Sequence, residues 1–381
     1  MNGTTLFDDY VQKKSLGLRA IDSQLPEMVA DEYGRYLDRV RLFVDSAKAT
    51  ILQLPSVYAD FVLHPAFNAQ AVFVSDMYLI VIFDGMPVVT TAVVRRMLSD
   101  QRLFRHIGNA SLETDTLPLY SQFTPNASSL SQTIKSLLPM DDDRLSYCNH
   151  LQNTVFDFIA AHELTHIAHG HLRYQSAEHG KPMIDELDWM SGSPEGNLES
   201  QTMEMDADFN AAKLMMQSID RLWKVHATLQ HPMNLYYDDR SKAVYDVAAA
   251  ICIICRMFGD NSISGVDLSK SRHPPMRWRQ MWTLNTLGNY VEHLWGDLMV
   301  PSCVAAITNA VSDVEEAFEV ITGCRQSVVG LHDVWGPAGQ AYAKRLGDCW
   351  NSTLKAKLRP HAYIDEMPFH GFDFTPPKSP L

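Results

Sequence analysis

The sequence lacks long apolar runs and any concentration of positive charge. Its longest apolar runs, residues 247–255 and 77–83, are far shorter than the ~20 residues that a membrane-spanning helix needs. Lysine and arginine number 32 against 45 acidic residues, which gives a net charge of −13. No segment gathers basic residues as a phosphate-binding face would. We therefore expect no membrane span and no nucleic-acid partner.

A secretory signal and a disulfide framework are also missing. The N-terminal segment has neither an apolar core nor a small-residue cleavage site, and six cysteines are few for 381 residues. We therefore expect a cytoplasmic protein with free thiols. Cys252 and Cys255 form a C-x-x-C, but no second pair completes a zinc site, so we expect them to pack inside a helix.

The composition is that of a folded globular protein, with 46% hydrophobic and 20% charged residues. Most of the chain carries apolar residues at helical spacing, including residues 149–174 and 198–219. Residues 71–74 and 78–83 are instead β-branched and aromatic, and the short segment 75–77 separates them. This pattern predicts a β-hairpin in an α+β, mostly helical fold with a small β-sheet.

An H-E-x-x-H motif at residues 162–166 lies in the predicted helix over 149–174. Four residues make slightly more than one helical turn, so His162 and His166 project from the same face and can both reach one ion. Zinc prefers imidazole nitrogens, and Glu163 would act as the general base toward a water that zinc activates. A chance match on an amphipathic helix remains the alternative, because the motif fixes only three positions.

The third protein ligand does not come from the same helix. The metzincin pattern requires glycine three residues, and histidine six residues, after the second histidine, but His169 and Leu172 occupy those positions. His169 also lies about 10.5 Å along the helix axis from His162, because a helix rises 1.5 Å per residue. One ion cannot bridge that distance.

Glu204 and Asp208 offer the missing ligand, four residues apart on one face of the helix predicted over 198–219. We expect Glu204 to bind zinc and Asp208 to accept the outward N–H of a ligand histidine. The alternative, a solvated acidic stripe, is weakened by apolar neighbours on both sides. Asp208, Asp206 and Glu199 are reserve ligands.

The motifs together resemble the gluzincin peptidases, in particular the CAAX-processing and heat-shock membrane metallopeptidases. Those proteins carry H-E-x-x-H, then E-x-x-A-D, then S-x-H-P with a following arginine, and residues 162–166, 204–208 and 271–279 repeat this order. The resemblance covers residues 67–279 and implies a zincin-like fold. Since the membrane spans of that family are missing here, the soluble regulatory and phage-exclusion peptidases of the Lit type resemble this chain more closely.

The resemblance implies roles for several further residues. His273 would donate to the tetrahedral oxyanion, Arg279 would lie beside the metal ligands, and His171 matches a further family histidine. His273 could instead be an ordinary residue at a helix start before Pro274. A second His-Pro at His231 lacks the arginine that follows His273.

The same resemblance implies a substrate-binding strand. Asn68 and Ala69 match residues that precede an edge strand in the family, so we expect them and Tyr78 to contact the substrate. If residues 78–83 formed such an edge, an extended peptide could add to it through main-chain hydrogen bonds. A core strand is the alternative.

We therefore predict a zinc-dependent endopeptidase that hydrolyses a protein substrate, with regulation or phage defence as its setting. Residues 1–58 would form an N-terminal helical segment, 59–290 the zincin-like domain, and 291–381 a C-terminal helical region with an extended Pro-rich tail. A regulatory partner or trigger is expected, because residues 176–197 or the tail could hold the site shut. The alternatives are a non-catalytic zincin-fold sensor and a metal-dependent hydrolase of a non-peptide substrate.

Overall fold

The computed structural model describes residues 2–20, 25, 27–51, 53–115, 138–180, 183–185, 193–229, 239–259, 263, 267–323 and 333–364. The helices of these residues are α1 (Gly3–Lys14), α2 (Glu27–Thr50), α3 (Gly85–Leu98), α4 (Asp142–Ala168), α5 (His171–His179), α6 (Pro194–Leu229), α7 (Arg240–Phe258), α8 (Met276–Trp295), α9 (Val300–Thr322), α10 (Pro337–Cys349) and α11 (Lys355–Leu358). The strands are β1 (Val57–Val62), β2 (Ala69–Val74), β3 (Met77–Phe83) and β4 (Met183–Asp185). This architecture confirms the predicted α+β, mostly helical fold with a small sheet.

The four strands form one mixed sheet in the order β1-β3-β2-β4. β2 and β3 are antiparallel and meet at a tight turn, where Ser75 and Asp76 have φ values of 46° and 67°. Positive φ at both central residues is typical of the turn that matches strand twist, and the predicted hairpin is confirmed. β1 pairs with β3 in parallel, so β3 lies inside the sheet. Of the two alternatives for residues 78–83, the structure therefore shows the core strand and not the edge strand.

Helix α4 is the central element of the described core. It packs against α2, α3, α6, α7 and strand β2, and its residues from Phe158 to Ala168 are all buried. A helix that is apolar on all sides is stable only when neighbours cover every face. The same holds for α7, where Cys252 and Cys255 are buried free thiols, as predicted.

The helix predicted over residues 149–174 is divided in two. α4 ends at Ala168, and α5 begins at His171 after Gly170, whose φ is 77°. A Cβ on residue 170 would lie 2.4 Å from the carbonyl carbon of His361. Glycine is therefore required by the left-handed conformation and by the close approach of the C-terminal segment. The break turns His171 back toward His166.

One hydrophobic core extends from α2 through the sheet to α11. Its members come from all three of the predicted segments, residues 1–58, 59–290 and 291–381. The division into those segments stays a prediction. Within the described ranges, no helix combines the length and the apolar character that crossing a membrane needs. The second His-Pro at His231 and the Pro-rich tail from residue 365 lie outside the described residues.

Candidate active site

The C-terminal part of α4 and the first half of α6 bring three metal-binding side chains together. Nε2 of His162 lies 3.0 Å from Nε2 of His166, and each of these atoms lies 3.6 Å from an oxygen of Glu204. All three residues are buried, with at most 4% of their surface exposed. The spacing of the H-E-x-x-H motif and the packing of α4 on α6 thus converge on one point.

These donor atoms fit a tetrahedral zinc ion. With bonds of about 2.1 Å to nitrogen or carboxylate oxygen, two ligand atoms of a tetrahedral zinc lie ~3.4 Å apart. The observed separations of 3.0, 3.6 and 3.6 Å lie close to that value on either side. Two histidines and one glutamate are also the donor set of catalytic zinc sites that leave a fourth position for water.

Asp208 lies one turn beyond Glu204 and contacts the ligand His162. Its Oδ1 is 2.9 Å from Nδ1 of His162, which directs the proton to Nδ1 and leaves Nε2 for a metal. From α8, Arg279 donates two hydrogen bonds to the same carboxylate, at 2.7 and 2.9 Å. Burial alone would raise the pKa of Asp208, but the Arg279 charge and these hydrogen bonds lower it. Asp208 is therefore a buried carboxylate that stays ionised.

His273 faces Glu204 from the loop before α8. Its Nδ1 lies 3.6 Å from Oε2 of Glu204, and Arg279 lies 3.5 Å from the same oxygen. Burial favours the neutral acid, yet the neighbouring His273 and the Arg279 charge hold the pKa of Glu204 well below its usual value. The structure thus brings His273 and Arg279 to the metal ligands, as expected, with the observed contact of His273 directed at a carboxylate.

The loop that carries His273 is fixed to α6 and to the C-terminal helices. The Ser271 hydroxyl donates to the carbonyl oxygen of His273 at 2.6 Å. Nε2 of Gln201 donates to the carbonyl oxygens of Leu268 and Ser271, and the Tyr342 hydroxyl of α10 donates to Oε1 of Gln201 at 2.6 Å. A region outside the recognised motifs therefore helps to position His273.

Glu163 lines a small cavity next to the metal donors. His162, Arg279 and Ala69 share its lining with apolar side chains of α3, α4 and α7, and its volume is about 20 Å³. That volume is enough for about one water molecule, which needs roughly 10–15 Å³. The cavity places a water-sized space against the predicted general base.

The predicted substrate-binding residues do not all reach this site. Ala69 lines the cavity, and the buried Asn68 precedes it, its carbonyl oxygen accepting from the backbone N–H of Phe83. Tyr78 pairs with Phe73 at the opposite end of the hairpin, and its hydroxyl is 2.9 Å from that of Tyr363. Four residues of strand separate the two ends by about 13 Å, so Tyr78 lies away from the cavity, and its contact with the substrate stays a prediction.

The reserve ligands have other partners. Glu199 accepts from Tyr174 at 2.8 Å and from Lys357 at 2.7 Å. Asp206 contacts Nδ1 of His169 at 2.5 Å and Nε2 of His171 at 3.1 Å. The motifs gave no role to this second group. Its signals in the sequence were the histidine pair on either side of Gly170, the family histidine that His171 matches, and Asp206 as a reserve ligand.

Comparison with known proteins adds one family. Residues 114–294 match the model of the family Peptidase U49. The matched segment is slightly under half of the chain and contains all three candidate ligands, Glu163 and His273. No curated protein and no solved structure matches the chain. The match supports a peptidase, and the buried histidine and carboxylate groups are candidate metal-binding residues of that peptidase.

Proposed function

We propose that the chain is a zinc-dependent endopeptidase of the gluzincin type that cleaves a protein substrate. The observation that carries the proposal is the triangle of buried donor atoms from His162, His166 and Glu204. Glu163 lies on α4 beside the two histidines. The Peptidase U49 match supports peptide-bond hydrolysis as the reaction.

The side chains around the triangle supply the remaining chemistry. Zinc, when bound, would act as a Lewis acid and lower the pKa of a water toward ~7. Glu163 accepts the proton of the attacking water and returns it to the leaving amine. Arg279 places positive charge beside Glu204 and His273 adds an imidazole there, from where both can stabilise negative charge on the substrate carbonyl oxygen.

The substrate approaches past Ala69 and Asn68, which lie at the start of β2 beside the cavity. Because the cavity has room for about one water and none for a peptide, a partner or trigger that opens the site belongs to the proposal. A phage-defence role stays a prediction that rests on the Lit-type resemblance.

Glu163→Gln tests the general base. The variant should bind zinc as the wild type does, since Glu163 is not among the donors, and should lose hydrolysis by ~10²-fold or more. Zinc content is measured by elemental analysis, and cleavage is measured with an unfolded protein and by comparing new N-termini in a whole proteome.

Glu199→Gln is the matched control, because Glu199 is a partly buried glutamate of α6 that contacts Tyr174 and Lys357 instead of the donors. It should keep both zinc and activity. Undiminished cleavage by Glu163→Gln would reject the proposed base.

Two other functions remain to be separated from this one. A non-catalytic sensor would bind zinc and a partner without producing new N-termini in any sample. A hydrolase of a non-peptide substrate would leave proteins intact, yet a chelator would stop its reaction. The family match favours the endopeptidase over both.

A further inference from the structure

A second buried histidine and carboxylate group lies directly behind the metal donors. His169, His171 and Asp206 are at most 4% exposed, and both imidazoles face Oδ2 of Asp206, at 2.5 and 3.1 Å. The group is joined to the first one, because Nδ1 of His171 lies 2.9 Å from Nδ1 of His166. Its residue types would suit a second metal ion or a chain of hydrogen bonds that ends on a carboxylate.

The shared contact between His166 and His171 decides between these two possibilities. Two ring nitrogens 2.9 Å apart hold one proton between them. If a metal took Nε2 of His171, the proton of that ring would sit on Nδ1 and be donated to His166. His166 would then carry its own proton on Nε2, the atom that faces His162 and Glu204, and could not bind zinc there. A neutral His166 therefore serves the first site only if the second group holds no metal.

We propose that His171 and Asp206 are positioning residues that hold His166 in the tautomer with Nε2 open to zinc. His166 donates its Nδ1 proton to Nδ1 of His171, which leaves the proton of His171 on Nε2, facing the charge of Asp206 at 3.1 Å. Asp206 also accepts from His169, and Asn210 donates to its Oδ1 at 3.0 Å, so the carboxylate is held on both sides.

The two zinc histidines are thereby served by the same helix in different ways. Asp208 of α6 faces Nδ1 of His162 directly at 2.9 Å, and Asp206 of α6 reaches His166 through the imidazole of His171. The break in the helix at Gly170 brings His171 between His166 and Asp206. This inference rests on the proposed function, since it assigns a role toward the zinc that the proposed function requires.

A matched pair of substitutions at His171 tests the proposal. Asparagine places its side-chain oxygen near the former Nδ1 and keeps an acceptor for His166. Glutamine places its amide nitrogen near the former Nε2 and keeps only the donor toward Asp206. His171→Gln should therefore raise the zinc dissociation constant about 10–100-fold, whereas His171→Asn should stay within about threefold of the wild type.

The dissociation constants are measured on the full chain by competition with a chelator, after thermal melting has shown that each variant is folded. His150→Asn is the control, because His150 makes a similar contact to a carboxylate, 2.9 Å from Asp246, and should leave zinc binding unchanged. If His171→Gln does not fold, ¹⁵N NMR of histidine-labelled, zinc-bound wild type gives the answer, since the relay requires the proton of His171 on Nε2, and a proton on its Nδ1 would overturn it.

The outcomes separate this inference from the function on which it rests. A wild type that binds no zinc would overturn the proposed function. A wild type with one zinc, together with equal affinities in His171→Gln and His171→Asn, would overturn the relay alone. Two zinc ions per chain, one of them lost in His169→Ala, would also overturn it and would establish a second metal site.

Discussion

Asp208→Asn is the substitution that most sharply tests the buried charge network around the proposed zinc ligands. The carboxylate lies 2.9 Å from Nδ1 of His162 and accepts hydrogen bonds from Arg279 at 2.7 and 2.9 Å. An asparagine has a single oxygen and presents N–H donors in place of the other. One of these donors must face Arg279 or His162, which are donors themselves.

Two effects follow, with different magnitudes. Leaving the buried guanidinium opposite an uncharged amide should cost about 3–5 kcal/mol of unfolding free energy. With an unfolding entropy of ~2.1 cal/mol/K per residue, that cost lowers the melting temperature of the 381-residue chain by about 4–6 °C. Zinc affinity should fall about 10–100-fold, because His162 loses the acceptor that fixes its tautomer.

Thermal melting with and without zinc, together with chelator competition, measures both effects. Asp348→Asn is the control, since Asp348 pairs with Lys344 at 2.6 Å and both side chains are exposed. Surface pairs contribute about 0–1 kcal/mol, so this control should melt within about 1 °C of the wild type. An Asp208→Asn protein with wild-type melting and wild-type zinc affinity would refute the reasoning.

Three further predictions concern the elements around the site. Burial raises the pKa of Asp84 to about 6, so the wild-type free energy of unfolding should fall as pH rises from about 4 to 6 and the buried carboxyl ionises. In denaturant titrations, Asp84→Asn should be more stable than the wild type by up to about 3 kcal/mol at pH 7.5 and equally stable below pH 4. Tyr342→Phe removes the hydrogen bond that orients Gln201, and Gln201 holds the loop that carries His273. The kcat should therefore fall several-fold while zinc affinity stays unchanged. Equal losses of kcat and zinc affinity would contradict this. Gly170→Ala should lower the free energy of unfolding by at least about 1–2 kcal/mol, because residue 170 has a φ of 77° and contacts the backbone at His361. An unchanged melting temperature would show that glycine is not needed there.

The candidate ligands could be predicted from the sequence because their geometry is local. His162 and His166 are one turn apart on a helix, and Glu204 and Asp208 repeat that spacing on the next long helix. The structure brings Glu204 to both histidines at 3.6 Å. The hairpin was equally local, since two β-rich segments flank a two-residue turn.

Features that depend on distant parts of the chain could not be predicted in this way. β3 is internal because β1 pairs with it in parallel, and no pattern within the hairpin reports that partner. The break at Gly170 depends on the backbone of His361, nearly two hundred residues later. The contact between His166 and His171 exists only because of that break, so a continuous helix over 149–174 hid it.

A crystal of the zinc-loaded chain, with anomalous differences measured at the zinc absorption edge, tests the central claim most directly. The account predicts one anomalous peak about 2.1 Å from Nε2 of His162, from Nε2 of His166 and from an oxygen of Glu204. A peak between His169, His171 and Asp206 instead, or no peak at the first three residues, would contradict it.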